Sequence, residues 1–140
     1  MSATRERRHR RPPLWQSTRV KPRLKVWVVF GDRVKFGDGR ARLLELVDEL
    51  GSLKQAVAQI GMSYRHGWGY FRELERASGL KVLERRPGEG PRGGMRLTPE
   101  GRRLLARYRR FRVGLDRTVE RQFKRAFKKS SGRPRSARPT

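Results

Sequence analysis

The 140-residue chain contains no cysteine and only two histidines, His9 and His66, which lie far apart in sequence. Disulfides, thiolate metal sites and thiol nucleophiles are therefore excluded, and no metal-ligating cluster is offered in their place. Carboxylates are scarce too, with 13 Asp and Glu against 37 Lys and Arg. No carboxylate set and no Ser/His pair recurs at catalytic spacing, so the sequence reads as a protein that is not an enzyme and needs no cofactor. No apolar run approaches the length of a bilayer span, and no apolar segment follows the charged N-terminus as it would in a secretion signal. The expectation is a soluble protein of the cytoplasm, close to the nucleoid, with no membrane partner.

What is abundant is positive charge. The formal net charge is +24 and the isoelectric point lies near 11.9, which calls for a polyanionic partner. Residues 1–23 carry +7 and residues 121–140 carry +8, leaving +9 for the chain between them. Pro12, Pro13 and Pro22 interrupt the first stretch, and the last lacks periodicity, so residues 1–23 are expected to form an irregular basic arm and residues 129–140 a basic tail. Between them there is room for one domain with a modest core.

Residues 52–79, SLKQAVAQIGMSYRHGWGYFRELERASG, read as two helices joined by a very tight turn. Ser52 and Gln55 have the spacing of a capping box, and Ala56, Val57 and Ile60 share a face before Gly61 ends the helix. Ser63 caps the second helix, in which Trp68, Phe71 and Leu74 recur every third residue as the core side, while Tyr64, Arg65, His66, Tyr70 and Arg72 point mainly elsewhere. This pattern suits a helix-turn-helix whose second helix enters a DNA major groove. A plain helical hairpin with a solvated charged face shares it.

The flanks complete a winged arrangement. Residues 24–30, LKVWVVF, read as a strand, Gly31-Asp32 as a hairpin turn and residues 33–36 as the return strand. Asp38 is the expected N-cap of a supporting helix that buries Leu43, Leu44, Val47 and Leu50 and stops at Gly51. After Gly79 two short strands flank PGEGPRGG, a wing in which Arg85, Arg86, Arg92 and Arg96 would follow a phosphate track. That loop lacks the spacing of a nucleotide-binding P-loop. Thr98 and Pro99 open a last helix with an apolar stripe of Leu104, Tyr108, Phe111, Leu115, Val119, Phe123 and Phe127. A stripe so long either folds back on its own domain or forms a two-stranded dimer seam, and the dimer is favoured because the body has little further surface to cover it. Gly114 weakens the middle of this helix.

The order of these parts resembles the N-terminal DNA-binding domain of the molybdate-responsive ModE regulator family, a winged-helix domain related to the LysR-type regulators. The likeness covers about residues 26–109, and FGDGRARLLELVDELGSLKQAVAQIGMSYRHGWGYFRELE is its most specific portion. GMSYRHGW resembles the family's turn into its recognition helix, with Trp68 at the core tryptophan, and VLERRPGEGPRGGMRLTPEG resembles its wing and linker helix. The resemblance implies dimerisation through that helix and a regulator connected with molybdate or tungstate transport genes. The expectation is a chain without the family's molybdate-binding domains, for which the residues after Phe127 are too few.

The expected fold is mainly α with small β: a winged helix-turn-helix (24–97) with an N-terminal β-hairpin, followed by a long linker and dimerisation helix (98–128). The expected function is sequence-specific binding of double-stranded DNA by a homodimer that regulates transcription. Tyr64 and Arg65 are the favoured base contacts, joined by Ser63, His66, Tyr70 and Arg72, with Arg85, Arg86 and Arg92 on the wing. Ser63 serves first as a cap. The expected dimer interface is Leu104, Tyr108, Phe111, Leu115 and Val119. The alternative is a nucleoid-associated or RNA-binding protein that acts mainly through charge.

Overall fold

A computed structural model describes residues 11–88 and 94–128 of the chain. Lys25–Leu115 form one compact unit, and the segments outside it form another.

The compact unit begins with an antiparallel hairpin, β1 (Val28–Phe30) and β2 (Val34–Phe36), in the register Val28 to Phe36, Val29 to Lys35 and Phe30 to Val34. The first strand is shorter than its β-branched sequence suggests. Gly37 already leads into a helix, so residues 24–27 lie outside the strand ladder. The turn occupies residues 31–33, one more than expected, with Gly31 in left-handed backbone at φ 61°. One face of the hairpin carries fully buried Phe36, and the other leaves Val29 exposed.

Helix α1 (Asp38–Leu50) is capped by Gly37 rather than by Asp38, which is its first helical residue. There a carboxylate still favours the positive helix end. The helix stops at Gly51, whose φ of 67° an L side chain rarely adopts and whose N–H reaches the Val47 carbonyl at 2.8 Å. Two further helices follow, α2 (Leu53–Gln59) and α3 (Tyr64–Ser78). Helix α2 buries Leu53, Ala56 and Val57. Ile60, expected on that face, is exposed because the helix ends at Gln59 and the next residue leaves the helical phase.

Strands β3 (Leu83–Arg85) and β4 (Met95–Leu97) pair antiparallel, with Glu84 opposite Arg96 and their side chains 2.7 Å apart. Thr98 then accepts the Gly101 N–H at 2.9 Å and starts α4 (Pro99–Ala126). The core gathers Phe36 from β2, Leu44 and Val47 from α1, Val57 from α2, Phe71 and Leu74 from α3, Leu83 from β3 and Leu97 from β4.

Helix α4 departs from expectation in its first turns. Leu104 and Tyr108, which the apolar stripe places in a dimer seam, are buried in the chain's own core, with the Tyr108 ring edge-on to Phe36 at 5.2 Å. Ion pairs hold this part of α4 to α1: Arg102 with Asp48 at 3.2 Å, Arg109 with Glu45 at 2.7 Å and Arg112 with Asp38 at 3.2 Å. The helix therefore folds back at its start, the plainer of the two readings of its stripe.

In the second unit, Leu14–Gln16 form one 3-10 turn inside the arm expected to be irregular. Ser17 and Thr18 hydroxyls donate to the Leu14 carbonyl at 3.1 and 2.8 Å, and Trp15 lies edge-on to Phe127 at 5.4 Å. Most of the two basic ends, residues 1–10 and 129–140, falls outside the described residues.

Candidate nucleic-acid interface

Helix α3 is positioned by its cap and by one glycine. The Ser63 hydroxyl accepts the His66 N–H at 3.0 Å, as Ser52 accepts that of Gln55 at 3.1 Å in α2. A Cβ at Gly67 would stand 2.6 Å from Val57 Cγ1, so the approach of α3 to α2 at this point requires glycine. The buried stripe of α3 is Gly67, Phe71 and Leu74, a spacing of four and three. Trp68, expected in that stripe, lies one residue to its side. It is only partly buried and meets the Tyr64 ring edge-on at 6.2 Å.

Of the residues expected on the outer face, Tyr64, Arg65, His66 and Arg72 are exposed. Tyr70 is not among them. It packs against the core, its hydroxyl donates to the Lys35 carbonyl of β2 at 2.8 Å, and the Arg40 guanidinium sits over its ring at 4.7 Å. Burial raises the Tyr70 phenol well above its ordinary value against the opposing charge of Arg40. Tyr70 thus ties α3 to the hairpin. Ser63 acts as a cap, and its own O–H remains available to donate outward.

The wing is rooted beside the helix-turn-helix. Met95 N–H donates to the Gly51 carbonyl at 3.1 Å, Arg86 N–H to the Gly94 carbonyl at 2.8 Å, and a Cβ on Gly94 would fall 1.6 Å from Gly51 O. Glu75, which no sequence motif singles out, sets the other side: one carboxylate oxygen accepts the N–H groups of Val82 at 2.7 Å and Leu83 at 3.1 Å. Nothing local distinguishes this glutamate from its neighbours, because its partners lie seven and eight residues on. Between wing root and helices runs a cleft of about 490 Å³ lined by Lys54, Gln55, Tyr64, Trp68, Arg85 and Arg86. Arg92 lies outside the described residues.

No carboxylate occurs between Glu49 and Glu73, the stretch that holds α2 and the first half of α3. Lys54, Arg65, Arg72, Arg85 and Arg86 form no ion pair with any carboxylate of the described residues, whereas Arg102, Arg109 and Arg112 on α4 are each paired with α1. Exposed cations without an ion pair among the described residues thus stand on the outer edge of α3 and at the wing root, and Arg103, Arg107 and Arg110 are further ones on α4. Among the described residues no group of three or more His, Asp or Glu could hold a metal ion, and no helix is long and apolar enough to cross a membrane.

Of the residues expected in a dimer seam, Phe111 is 43% exposed, and Leu115 and Val119 are partly covered. Val113, outside the expected stripe, is 49% exposed.

No protein-family model matches the chain. Among curated proteins it is 33% identical over 88 residues to the molybdenum transport protein ModE of Azotobacter vinelandii, covering 60% of this chain and 33% of that protein. It is 34% identical over 84 residues to the transcriptional regulator ModE of Haemophilus influenzae, covering 60% and 31%. It is 30% identical over 81 residues to the molybdenum-pterin-binding protein MopB of Rhodobacter capsulatus, covering 58% and 30%. The chain thus matches about a third of the length of these relatives. Among solved structures, the CbnR_DBD–DNA complex matches with a TM-score of 0.48 at 24% identity, over 61% of this chain and 93% of that one. Two small antiparallel hairpins, a capped helix pair and a long last helix make the compact unit a winged helix-turn-helix domain, related in sequence to part of the ModE regulators.

Proposed function

We propose that this chain binds double-stranded DNA in a sequence-specific way and regulates transcription. The observation that carries the reading is the set of exposed cations on the outer edge of α3, within the stretch between Glu49 and Glu73 that has no carboxylate, together with Arg85 and Arg86 at the wing root, none of them ion-paired among the described residues. A helix of this diameter fits a major groove, where Arg65 can form two hydrogen bonds to the O6 and N7 of a guanine. Tyr64 and His66 stand beside it in the first turn, the part of a recognition helix that goes deepest. Arg72, Arg85 and Arg86 supply phosphate contacts that fix register. Two copies joined through the exposed part of α4 would present two such helices to a two-fold operator.

The likeness to molybdenum-related relatives points to genes of molybdate or tungstate transport as targets. A second reading, a general nucleic-acid coat, draws on the +7 and +8 carried by residues 1–23 and 121–140. Enrichment of genomic duplex fragments by the full chain separates the two. A regulator enriches a few sites, and its affinity for them exceeds that for scrambled duplex by roughly 10³ or more. Uniform recovery of the genome with no such ratio would rule the regulator out.

A further inference from the structure

We propose that Gly69 is where a base edge of bound DNA comes closest to the axis of α3, so that sequence discrimination depends on the side chain this position lacks. The inference rests on the duplex-binding reading above.

Helix α3 contains two glycines in its first half, and the fold accounts for only one of them. Gly67 is required by Val57, 2.6 Å from where its Cβ would be. A Cβ on Gly69 would meet no side chain and no backbone of another element within 4 Å. Nor does conformation demand glycine there, since the positive-φ glycines among the described residues are Gly31, Gly51, Gly61 and Gly79. An exposed glycine inside a helix weakens it relative to alanine, so the position costs stability that no internal contact returns.

What the missing side chain leaves free lies outside the protein. Gly69 follows Arg65 by four residues and His66 by three, and precedes Arg72 by three, which places it among them on the helix surface. Long side chains at 65 and 72 can reach outward on either side while the backbone at 69 sits low between them. A methyl group here would occupy the space into which a groove edge has to come, lifting the helix away and lengthening every base contact that Arg65 makes. Phosphates are reached by flexible side chains from farther out and tolerate such a shift better than base edges do. Gly39, in the first turn of α1, provides an internal comparison, because its added Cβ also meets nothing within 4 Å and it lies outside the proposed interface.

The test uses the full chain, a duplex that the parent selects from a random pool, and a scrambled duplex of the same composition. Gly69→Ala and Gly39→Ala are each measured for melting temperature and for affinity on both duplexes. Both variants should melt at or above the parent. Gly69→Ala should lose about tenfold or more on the selected duplex and less than about twofold on the scrambled one, while Gly39→Ala loses on neither. Three results overturn the inference: Gly69→Ala matching the parent on the selected duplex, equal losses on the two duplexes, or a lower melting temperature, which would mean that the fold itself needs the glycine. If the parent selects no duplex at all, the duplex-binding reading fails first; a selecting parent matched by Gly69→Ala sinks this inference alone.

Discussion

The phenol of Tyr108, in the third turn of α4, donates a hydrogen bond to a carboxylate oxygen of Asp38, the first residue of α1, at 2.5 Å. Arg112 Nε stands 3.2 Å from both oxygens of the same carboxylate. Burial works to raise the Asp38 carboxyl, but the phenol and the guanidiniums of Arg112 and Arg109 outweigh it and hold the group below its ordinary 3.8. The Tyr108 phenol is pushed up to about 12, first by burial and then by its bond to Asp38 and that group's charge. A residue expected to cap α1 thus anchors the last helix.

Removing the hydroxyl should show this directly. Tyr108→Phe is expected to cost about 1.5–3 kcal/mol near neutral pH, the range for a hydrogen bond to a charged group. The depressed Asp38 contributes stability above pH 3.8 that is lost as pH falls, and the raised Tyr108 contributes stability below pH 10 that is lost as pH rises through about 12. Tyr108→Phe should therefore lie closest to the parent at the two pH extremes. Denaturant titrations at acid, neutral and alkaline pH check it, and a difference independent of pH would contradict the bond.

The approach of α2 to α3 makes a contrast between adjacent residues. Gly67→Ala forces a methyl against the stiff, β-branched Val57 and should destabilise by about 1–3 kcal/mol. Trp68→Ala removes a ring that is only partly buried, so the loss should be about 1.5–3 kcal/mol, below the full cost of truncating a core tryptophan. Phe71, 1% exposed, should cost about 3–5 kcal/mol when truncated to alanine. If Trp68→Ala proves as damaging as Phe71→Ala, α3 does not turn Gly67, Phe71 and Leu74 towards the core with Trp68 at their side.

Glu75 links the recognition helix to the wing, and the two N–H groups it accepts give its substitution a graded outcome. Glu75→Ala leaves both donors without their acceptor and should cost about 2–3 kcal/mol, while Glu75→Gln keeps a carbonyl oxygen in place and should cost about half as much. Amide hydrogen exchange at Val82 and Leu83 reads the same change locally. Unchanged protection there in Glu75→Ala would show that the carboxylate does not hold the wing.

Much of this architecture is legible in residue order alone, and the features that are not share one cause. Caps and stops are local: Ser52, Ser63, Thr98, Gly51 and Gly79 act through bonds to residues within four positions, so the chain spells them out. Partnership between distant segments is not local. Spacing makes Asp38 a cap, because its bond to Tyr108, 70 residues away, leaves no trace in the local pattern. Tyr70 has the place of an outward residue on a basic helix, and only the folded hairpin brings the Lys35 carbonyl beside it. Leu104 and Tyr108 belong to the same periodic stripe as Phe111 and Leu115, and periodicity cannot say where along a helix the partner changes. On the candidate interface, the absence of carboxylates between Glu49 and Glu73 is visible in the sequence, whereas the pairing of Arg102, Arg109 and Arg112 with α1 is not.

That change of partner along α4 can be tested by placing one charge at two positions. Leu104→Glu puts a carboxylate into the chain's own core and should unfold the domain. Phe111→Glu, at a residue 43% exposed, should leave the fold intact and convert a dimer to a monomer, because an unpaired charge in an apolar seam is strongly unfavourable. Sedimentation and circular dichroism on the two variants decide the matter. A parent that sediments as a monomer removes the seam from consideration altogether.

The division of labour between the basic ends and α3 gives the last prediction, since charge in either place attracts DNA but only one can read it. Replacing the Lys and Arg of residues 1–11 and 129–138 with Gln removes cations able to displace phosphate counterions while keeping the chain at full length. Affinity should fall similarly on every duplex, and the salt dependence should flatten by about 0.9 for each phosphate no longer neutralised. Arg65 stands in the first turn of α3, exposed and without an ion pair among the described residues. If its guanidinium pairs with a base edge, Arg65→Ala should cost about 1–3 kcal/mol on a selected duplex, far less on a scrambled one, and leave the salt slope nearly unchanged. Titrating both variants on both duplexes over a salt series reads affinity and slope together. Equal losses on the two duplexes for Arg65→Ala, with a flatter slope, would make Arg65 a phosphate contact and shift the balance towards a protein that coats nucleic acid through charge.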